Sequence, residues 1–441
     1  MRYKKYPSYK DSGVEWLGDI PEHWENTRLK FLGDTYGGLS GKAGKDFNQE
    51  NNKDNKIFIP FTNIANNHYI QNNNFGTVTI FSNELQNKIK KNDLFFLMSS
   101  EGYEDLGKSS LLKFEIKDGY LNSFCKGFRV KNNSINPKYL NYLLSGDTYR
   151  KLLYTQGNGF TRINLRLEKL QNLSLLIAPI IKEQKAIANY LDNATNKIDT
   201  LIIKQKRLIE LLKEKRQALI SKAVTRGLDD SVEMKDSGVE WLGEIPEHWI
   251  NTKLKYISNI NMGQSPSSIS YNNEGIGIEF LQGNADFGKL YPIARTFTTE
   301  VKKISKINDI LFTVRAPVGA MNISNKKYAI GRGLCAISAT KYSEKSFLWW
   351  LMSIVKIELD SVATGSTYEA VSVEQVNNSN IALPPLKEQK AIANYLDQKT
   401  TQIDTLINKA TKAITLLQEK RTALISAVVT GKIDVRGEYG E

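Results

Sequence analysis

The chain has 441 residues, 41% of them apolar, and a formal net charge of +13. Its length predicts two or three domains, and its apolar content is enough for packed cores, which excludes a disordered tail protein. Two cysteines exclude a disulfide framework, no apolar run is long enough to span a bilayer, and MRYKKYPSYKDSG has no apolar segment of a signal peptide. A cytoplasmic protein without membrane association is expected, with nucleic acid as the leading partner class.

From the N-terminus, the first distinctive block is KDSGVEWLGDIPEHWENTRLK at residues 10–30. It returns as KDSGVEWLGEIPEHWINTKLK at 235–255, an offset of 225. A second block, KEQKAIANYLD at 182–192, recurs letter for letter at 387–397, an offset of 205. The intervening segments, 31–181 and 256–386, therefore differ in length by 20 residues, and they share little sequence. The plan is constant, variable, constant, repeated once. Neutral drift would spread differences evenly, but here near-identity abuts dissimilarity at sharp borders. A common frame carrying two different recognition surfaces fits that pattern.

In the first variable segment KIFIPFTNI, DLFFLMSS and SFCKGFRV read as strands, and PKYLNYLLSGDTYRKLLY as a helix. In the second, IEFLQGN, DILFTV and KKYAIGRGLCAIS read as strands, and KSFLWWLMSIVKIELD as a helix. A glycine-rich turn follows each helix, TQGNGFTR at 155–162 and ATGSTYEA at 363–370.

The constant block after each variable segment predicts one long helix. Apolar residues at alternating spacings of four and three mark a seam through Ile187, Leu191, Ile198, Leu201, Leu208, Leu212 and Leu219. Its second copy runs through Ile392, Leu396, Ile403, Leu406, Leu417 and Leu424. Lys215 and Lys420 interrupt the two seams at equivalent positions, and Gly227 and Gly431 provide stop signals. Each seam needs a partner. A pseudo-two-fold relation between the halves would pair the two helices antiparallel; the alternative is a seam buried on another subunit. The expected domains are 1–181, 182–234 for the first helix and linker, 235–386, and 387–441 for the second helix and tail.

Catalytic signatures are missing. YGGLSGKAGK lacks the spacing and the Ser or Thr of a phosphate loop. His23 and His248 are repeat copies in IPEHW and His68 stands alone, so no metal-ligand spacing appears. Cys125 and Cys335 sit on apolar strands, as core residues do. No methyltransferase motif or nuclease carboxylate pattern stands out. Binding features are present instead. The first variable segment has 19 Lys and Arg against 13 Asp and Glu, and the second has 12 against 10. Polar side chains in turns after strands suit phosphate and base-edge contacts. In the first half the candidates are Thr62, Asn63, Ser99, Ser100, Glu101, Lys126, Asn158, Thr161 and Arg162. In the second half they are Gln282, Asn284, Arg315, Arg332, Ser366, Thr367 and Tyr368. For each of these a structural role in a turn competes with base contact.

SGVEWLGDIPEHW, the doubled KEQKAIANYLD, IDTLI, the EKRxALIS helices, FTVRAPVGA and LPPLKEQ resemble the specificity subunit of type I restriction-modification systems. The resemblance runs in order along the whole chain. It implies an α+β fold: two target recognition domains, each α/β with a small sheet, separated by conserved helices in an antiparallel coiled coil. It implies that each domain reads one half of an asymmetric bipartite site in double-stranded DNA, with the helices setting the half-site distance. It also implies no catalysis and no cofactor in this chain. Two methyltransferase subunits would bring S-adenosylmethionine, and two restriction subunits would use ATP and Mg. TQGNGFTR departs from the Gly-Ser-Thr turn at 365–367, which weakens any carry-over to residues 157–162. A scaffold that reads no DNA and a self-contained methyltransferase or nuclease are the competing functions.

Overall fold

The computed structural model describes residues 4–14, 17–49, 52–131, 133–363 and 370–437. The duplicated letters fold twice into the same local design. Tyr9–Asp11 pairs antiparallel with Asp19–Pro21, as Met234–Asp236 does with Glu244–Pro246. The intervening DSG turn explains its own sequence. Asp11 Oδ1 accepts the Gly13 N–H at 2.9 Å, Asp236 Oδ1 accepts the Gly238 N–H at 2.9 Å, and both glycines have φ near +70°. Glu25–Arg28 then pairs with Ser174–Ile177, the last strand before the first long helix, and Ile250–Lys253 pairs likewise with Asn380–Leu383. Each variable segment thus begins and ends on one two-stranded clamp.

The two variable segments share a fold that their sequences hide. Each has a four-stranded antiparallel sheet. In the first, Gly33–Gly37, Cys125–Val130, Leu94–Leu97 and Ser109–Leu111 lie in that order. In the second the order is Ser258–Met262, Leu334–Ala339, Ile310–Thr313 and Met321–Ile323. A second sheet, of three strands in the first segment and four in the second, adjoins each. It joins Asn55–Ile59 antiparallel to Gly76–Thr79 and parallel to Tyr120–Leu121. Its counterpart joins Ile278–Leu281 antiparallel to Thr296–Thr298 and parallel to Ala329–Ile330. Cys125 and Cys335 are both buried on the corresponding strands, one register place apart and so on opposite faces of the sheet, and burial pushes both thiols up, Cys335 to about 12. Two expectations shift in detail. KIFIPFTNI is a strand only to Ile59, because Pro60 removes a ladder donor and Phe61–Asn66 then turns helical. PKYLNYLLSGDTYRKLLY forms two helices, Pro137–Ser145 and Asp147–Thr155, broken at Gly146.

The long helices run Ile181–Arg226 and Leu386–Val429, 46 and 44 residues, or about 69 and 66 Å. Gly227 and Gly431, both with positive φ, end them. The chain divides into two compact units, Met1–Gln205 with Lys412–Glu441, and Lys206–Thr411, so each long helix contributes to both. Within the first unit, Ile198 and Ile202 share a core with Leu424, Ile425 and Val428, and Arg421 Nε donates to Asp199 Oδ1 at 2.9 Å. Within the second, Ile220 and Val224 share a core with Ile392 and Leu396, and Arg216 Nε lies 3.4 Å from Asp404 Oδ1. In each unit the start of one helix therefore lies beside the end of the other, which makes the pair antiparallel. The two ion pairs are repeat copies of each other.

The seam differs from the heptad expectation. Ile187, Leu191, Ile198, Leu212, Ile392, Leu396, Ile403 and Leu424 are buried as expected, and Leu219 and Leu417 are half-buried. Leu201, Leu208 and Leu406, however, are 46%, 42% and 49% exposed. Thr195, Ile202 and Thr400 are buried instead. The buried face advances from 187 through 191, 195, 198 and 202 to 212 and 220, close to the 3.6-residue period of a straight helix rather than the 3.5 of a supercoil. Thr195 and Thr400 tolerate burial because their hydroxyls donate to the Leu191 and Leu396 carbonyls at 2.7 Å. The same drift places Lys215 and Lys420 outward and turns their neighbours Arg216 and Arg421 toward the pairing face.

Candidate nucleic-acid interface

In the second recognition domain four of the sequence-derived candidates converge. Gln282, Asn284, Arg315 and Arg332 line one pocket of about 280 Å³ with Ser265 and Thr313. Three chain segments build its floor, and backbone hydrogen bonds tie them together. Gly331 N–H donates to the Leu281 carbonyl at 2.8 Å, and Val314 N–H to the Gly333 carbonyl at 3.0 Å. Gln264 N–H donates to the Ile330 carbonyl at 2.9 Å. The approach is so close that a Cβ on Gly333 would stand 2.3 Å from the Gln282 carbonyl oxygen. This is why the sequence reads GRG there. The LQGN turn is fixed by buried Asp286, whose Oδ2 accepts the Gln282 N–H at 2.7 Å. Thr313 Oγ1 donates to the Pro317 carbonyl and accepts the Ala320 N–H, both at 2.8 Å, which holds the RAPVG turn.

On this fixed floor Gln282, Asn284, Arg315 and Arg332 are exposed. Neither guanidinium has a salt-bridge partner among the described residues. Ser366, Thr367 and Tyr368 lie outside the described residues. Ser265, which accepts the Arg332 N–H at 3.3 Å, belongs to the site but carries no sequence signal.

The first recognition domain spreads its candidates out. Ser99 and Ser100 form a short strand paired with Ile163–Asn164. Asn158 bonds reciprocally to Asn164 through backbone at 3.1 and 3.0 Å, which shapes the glycine-rich turn. Thr161 and Arg162 stand exposed on that turn, and Arg162 lies 4.7 Å over the ring of Phe124. Phe124 is 40% exposed and Phe160 is fully exposed, two aromatic groups that the sequence reading passed over. The exposed phenylalanine in GNGF was the available signal. Thr62 and Glu101 are exposed, and Lys126 is half-buried on its strand. Asn63 is a correction. It is fully buried, its amide donates to the Gln71 and Asn74 carbonyls at 2.9 and 2.7 Å, and its Oδ1 accepts the Gln71 N–H at 3.0 Å. It holds a loop and has no surface to offer DNA.

A cavity of about 750 Å³ in this unit includes none of the candidates. It is walled by His68, Tyr69, Tyr142, Arg150 and Arg421, among others. Burial, helped by nearby Arg421 and Lys113, pushes His68 down to about 3, so its imidazole stays neutral. Among the described residues no group of three or more His, Cys, Asp or Glu side chains is placed to hold a metal ion. None of their helices is long and apolar enough to cross a membrane.

The family model for a type I restriction modification DNA specificity domain matches residues 21–212 and 246–416. A specificity subunit assigned to the type I restriction enzyme MjaX of Methanocaldococcus jannaschii is 32% identical over 449 residues, covering 99% of each chain. The StySPI specificity subunit of Salmonella potsdam is 23% identical over 94% of this chain and 90% of its own. A solved chain from a study of type I R-M complex assembly and conformational transition superposes with a TM-score of 0.76 at 21% identity, covering 93% of this chain and 98% of that one. The HsdS subunit from Thermoanaerobacter tengcongensis gives 0.59 at 22% identity, over 94% and 98%.

Proposed function

Because the chain belongs to the DNA-specificity family of type I restriction-modification systems, we propose that its two recognition domains each read one half of an asymmetric bipartite site in double-stranded DNA. The carrying observation is the pocket of the second domain, where two guanidinium groups and two amides face solvent from a backbone fixed by hydrogen bonds. Base readout needs such donors and acceptors pre-positioned at a groove, because flexible side chains would lose the gain to ordering entropy. The first domain offers a different surface, with hydroxyls, Arg162 and exposed aromatic rings. Two unlike surfaces suit two unlike half-sites.

The paired long helices set the distance between the half-sites. Their outward leucines, with the rest of the constant frame, are the surface for two methyltransferase subunits. Those partners bring S-adenosylmethionine. Two restriction subunits, using ATP and Mg, join for cleavage. Chemistry stays in the partners, and the complex works in the cytoplasm on duplex DNA.

Titration of random-sequence and target duplexes with the purified methyltransferase complex tests this reading. Affinity is expected to fall steeply with salt, and the target to outcompete scrambled duplex by about 10³-fold or more. Equal affinity for every duplex would make the chain a scaffold that reads no sequence.

A further inference from the structure

We infer that the half-site read by the second domain contains guanine, recognised by Arg315 and Arg332, an arginine pair that the first domain lacks. The inference rests on the DNA-reading function proposed above and specifies its chemistry. Guanine is the base whose major-groove edge offers two adjacent acceptors, N7 and O6, and a guanidinium fork meets both at once. Arg315 and Arg332 are exposed, lack a carboxylate partner among the described residues, and spring from segments locked to each other through Val314 and Gly333. A phosphate would present acceptors only. The pocket instead sets the amides of Gln282 and Asn284 beside the two arginines, and each amide adds an acceptor oxygen to its donors. A mixed set of donors and acceptors matches base edges better than backbone.

The first domain supplies the internal comparison, because its backbone repeats the same bonds. Asn122 N–H donates to the Ile59 carbonyl at 3.1 Å, where the second domain has Gly331 on Leu281. Met98 N–H donates to the Phe124 carbonyl at 3.0 Å, where the second has Val314 on Gly333. One residue further on in each case, Ser99 stands where the second domain has Arg315, and Ser123 where it has Arg332. The frame is common, and the guanidinium pair belongs to one copy only.

The test is selection from a random duplex library by the complete methyltransferase complex, with wild-type, Arg315→Ala and Arg332→Ala chains. Both side chains are exposed, so the variants keep the fold. The wild-type motif is expected to contain guanine in one half. Each variant should lose discrimination at a guanine in that half by about 5- to 150-fold and leave the other half unchanged. Replacing that guanine by 7-deazaguanine, which lacks the N7 acceptor, should weaken wild-type binding and leave the matching variant unaffected. A half-site altered by the variants but free of guanine on either strand overturns the inference. So do variants that weaken all sequences alike and lower the salt slope by about one, the mark of a phosphate contact, while DNA reading itself stands. A wild-type complex that selects no motif overturns both the inference and the function beneath it.

Discussion

Replacing Glu183 with alanine is expected to destabilise the first unit by about 3–5 kcal/mol, and Glu388→Ala the second by about 1 kcal/mol. The two glutamates are copies in the doubled KEQKAIANYLD block, and each anchors the His-Trp pair of its own IPEHW motif. Their surroundings differ. Glu183 is 3% exposed and accepts from Tyr6 Oη at 2.9 Å, Trp24 Nε1 at 3.0 Å and His23 Nε2 at 2.8 Å. Burial and Glu183 itself raise the Tyr6 hydroxyl far above its ordinary value, so it remains a donor. Alanine would strand a buried phenol and a buried indole N–H. Among the described residues Glu388 has as side-chain partners only His248 at 2.8 Å and Trp249 at 2.9 Å, and its side chain is 41% exposed, so water can replace it. Thermal unfolding of the full chain reads the contrast, at about 2–4 °C per kcal/mol. Equal losses for the two variants would show that Tyr6 and burial add nothing.

Lengthening both long helices is expected to act on DNA recognition in steps. Seven residues inserted after Gln205 and again after Thr411, the borders of the compact units, add about 10.5 Å and nearly two helical turns, so the buried face stays almost in phase. That length is about three base pairs of DNA, over which the duplex rotates by roughly 100°. The second domain then faces the wrong side of its half-site, and specific binding should fall to the non-specific level. Twenty-two inserted residues add about 33 Å, close to one DNA turn, and keep the pairing face aligned over six turns. Binding should return on sites whose spacer is longer by about ten base pairs. Quantitative binding to a spacer series measures both outcomes. Full affinity for the original spacer after either insertion would contradict helices that set the half-site distance.

Much of this was legible in the letters because repetition is visible without knowing the fold. The offsets of 225 and 205 gave the two-part plan, and the turns around Gln282, Asn284, Arg315 and Arg332 gave four residues that meet in one pocket. Those turns were readable because GRG, LQGN and RAPVG each punctuate an apolar strand. The first domain was less readable, since Ser123 and Phe124, at the places of Arg332 and Gly333, are residues of no distinctive type in a turn of no distinctive spacing. Asn63 looked like its neighbour Thr62, and only tertiary packing separates a buried loop clasp from an exposed hydroxyl. The seam departed at Leu201, Leu208 and Leu406 for a related reason. Periods of 3.5 and 3.6 diverge slowly, so Leu201 and Ile202 compete for one place, and the pairing helix decides.

Independence of the two recognition domains is the central claim, and exchanging one domain tests it most directly. Residues 256–386 would be replaced by the corresponding segment of another specificity subunit, and methylated adenines mapped across a genome carrying the chimera with its partners. One half of the methylated motif should change, with the other half and the spacer length unaltered. A change in both halves would contradict two domains that read separately.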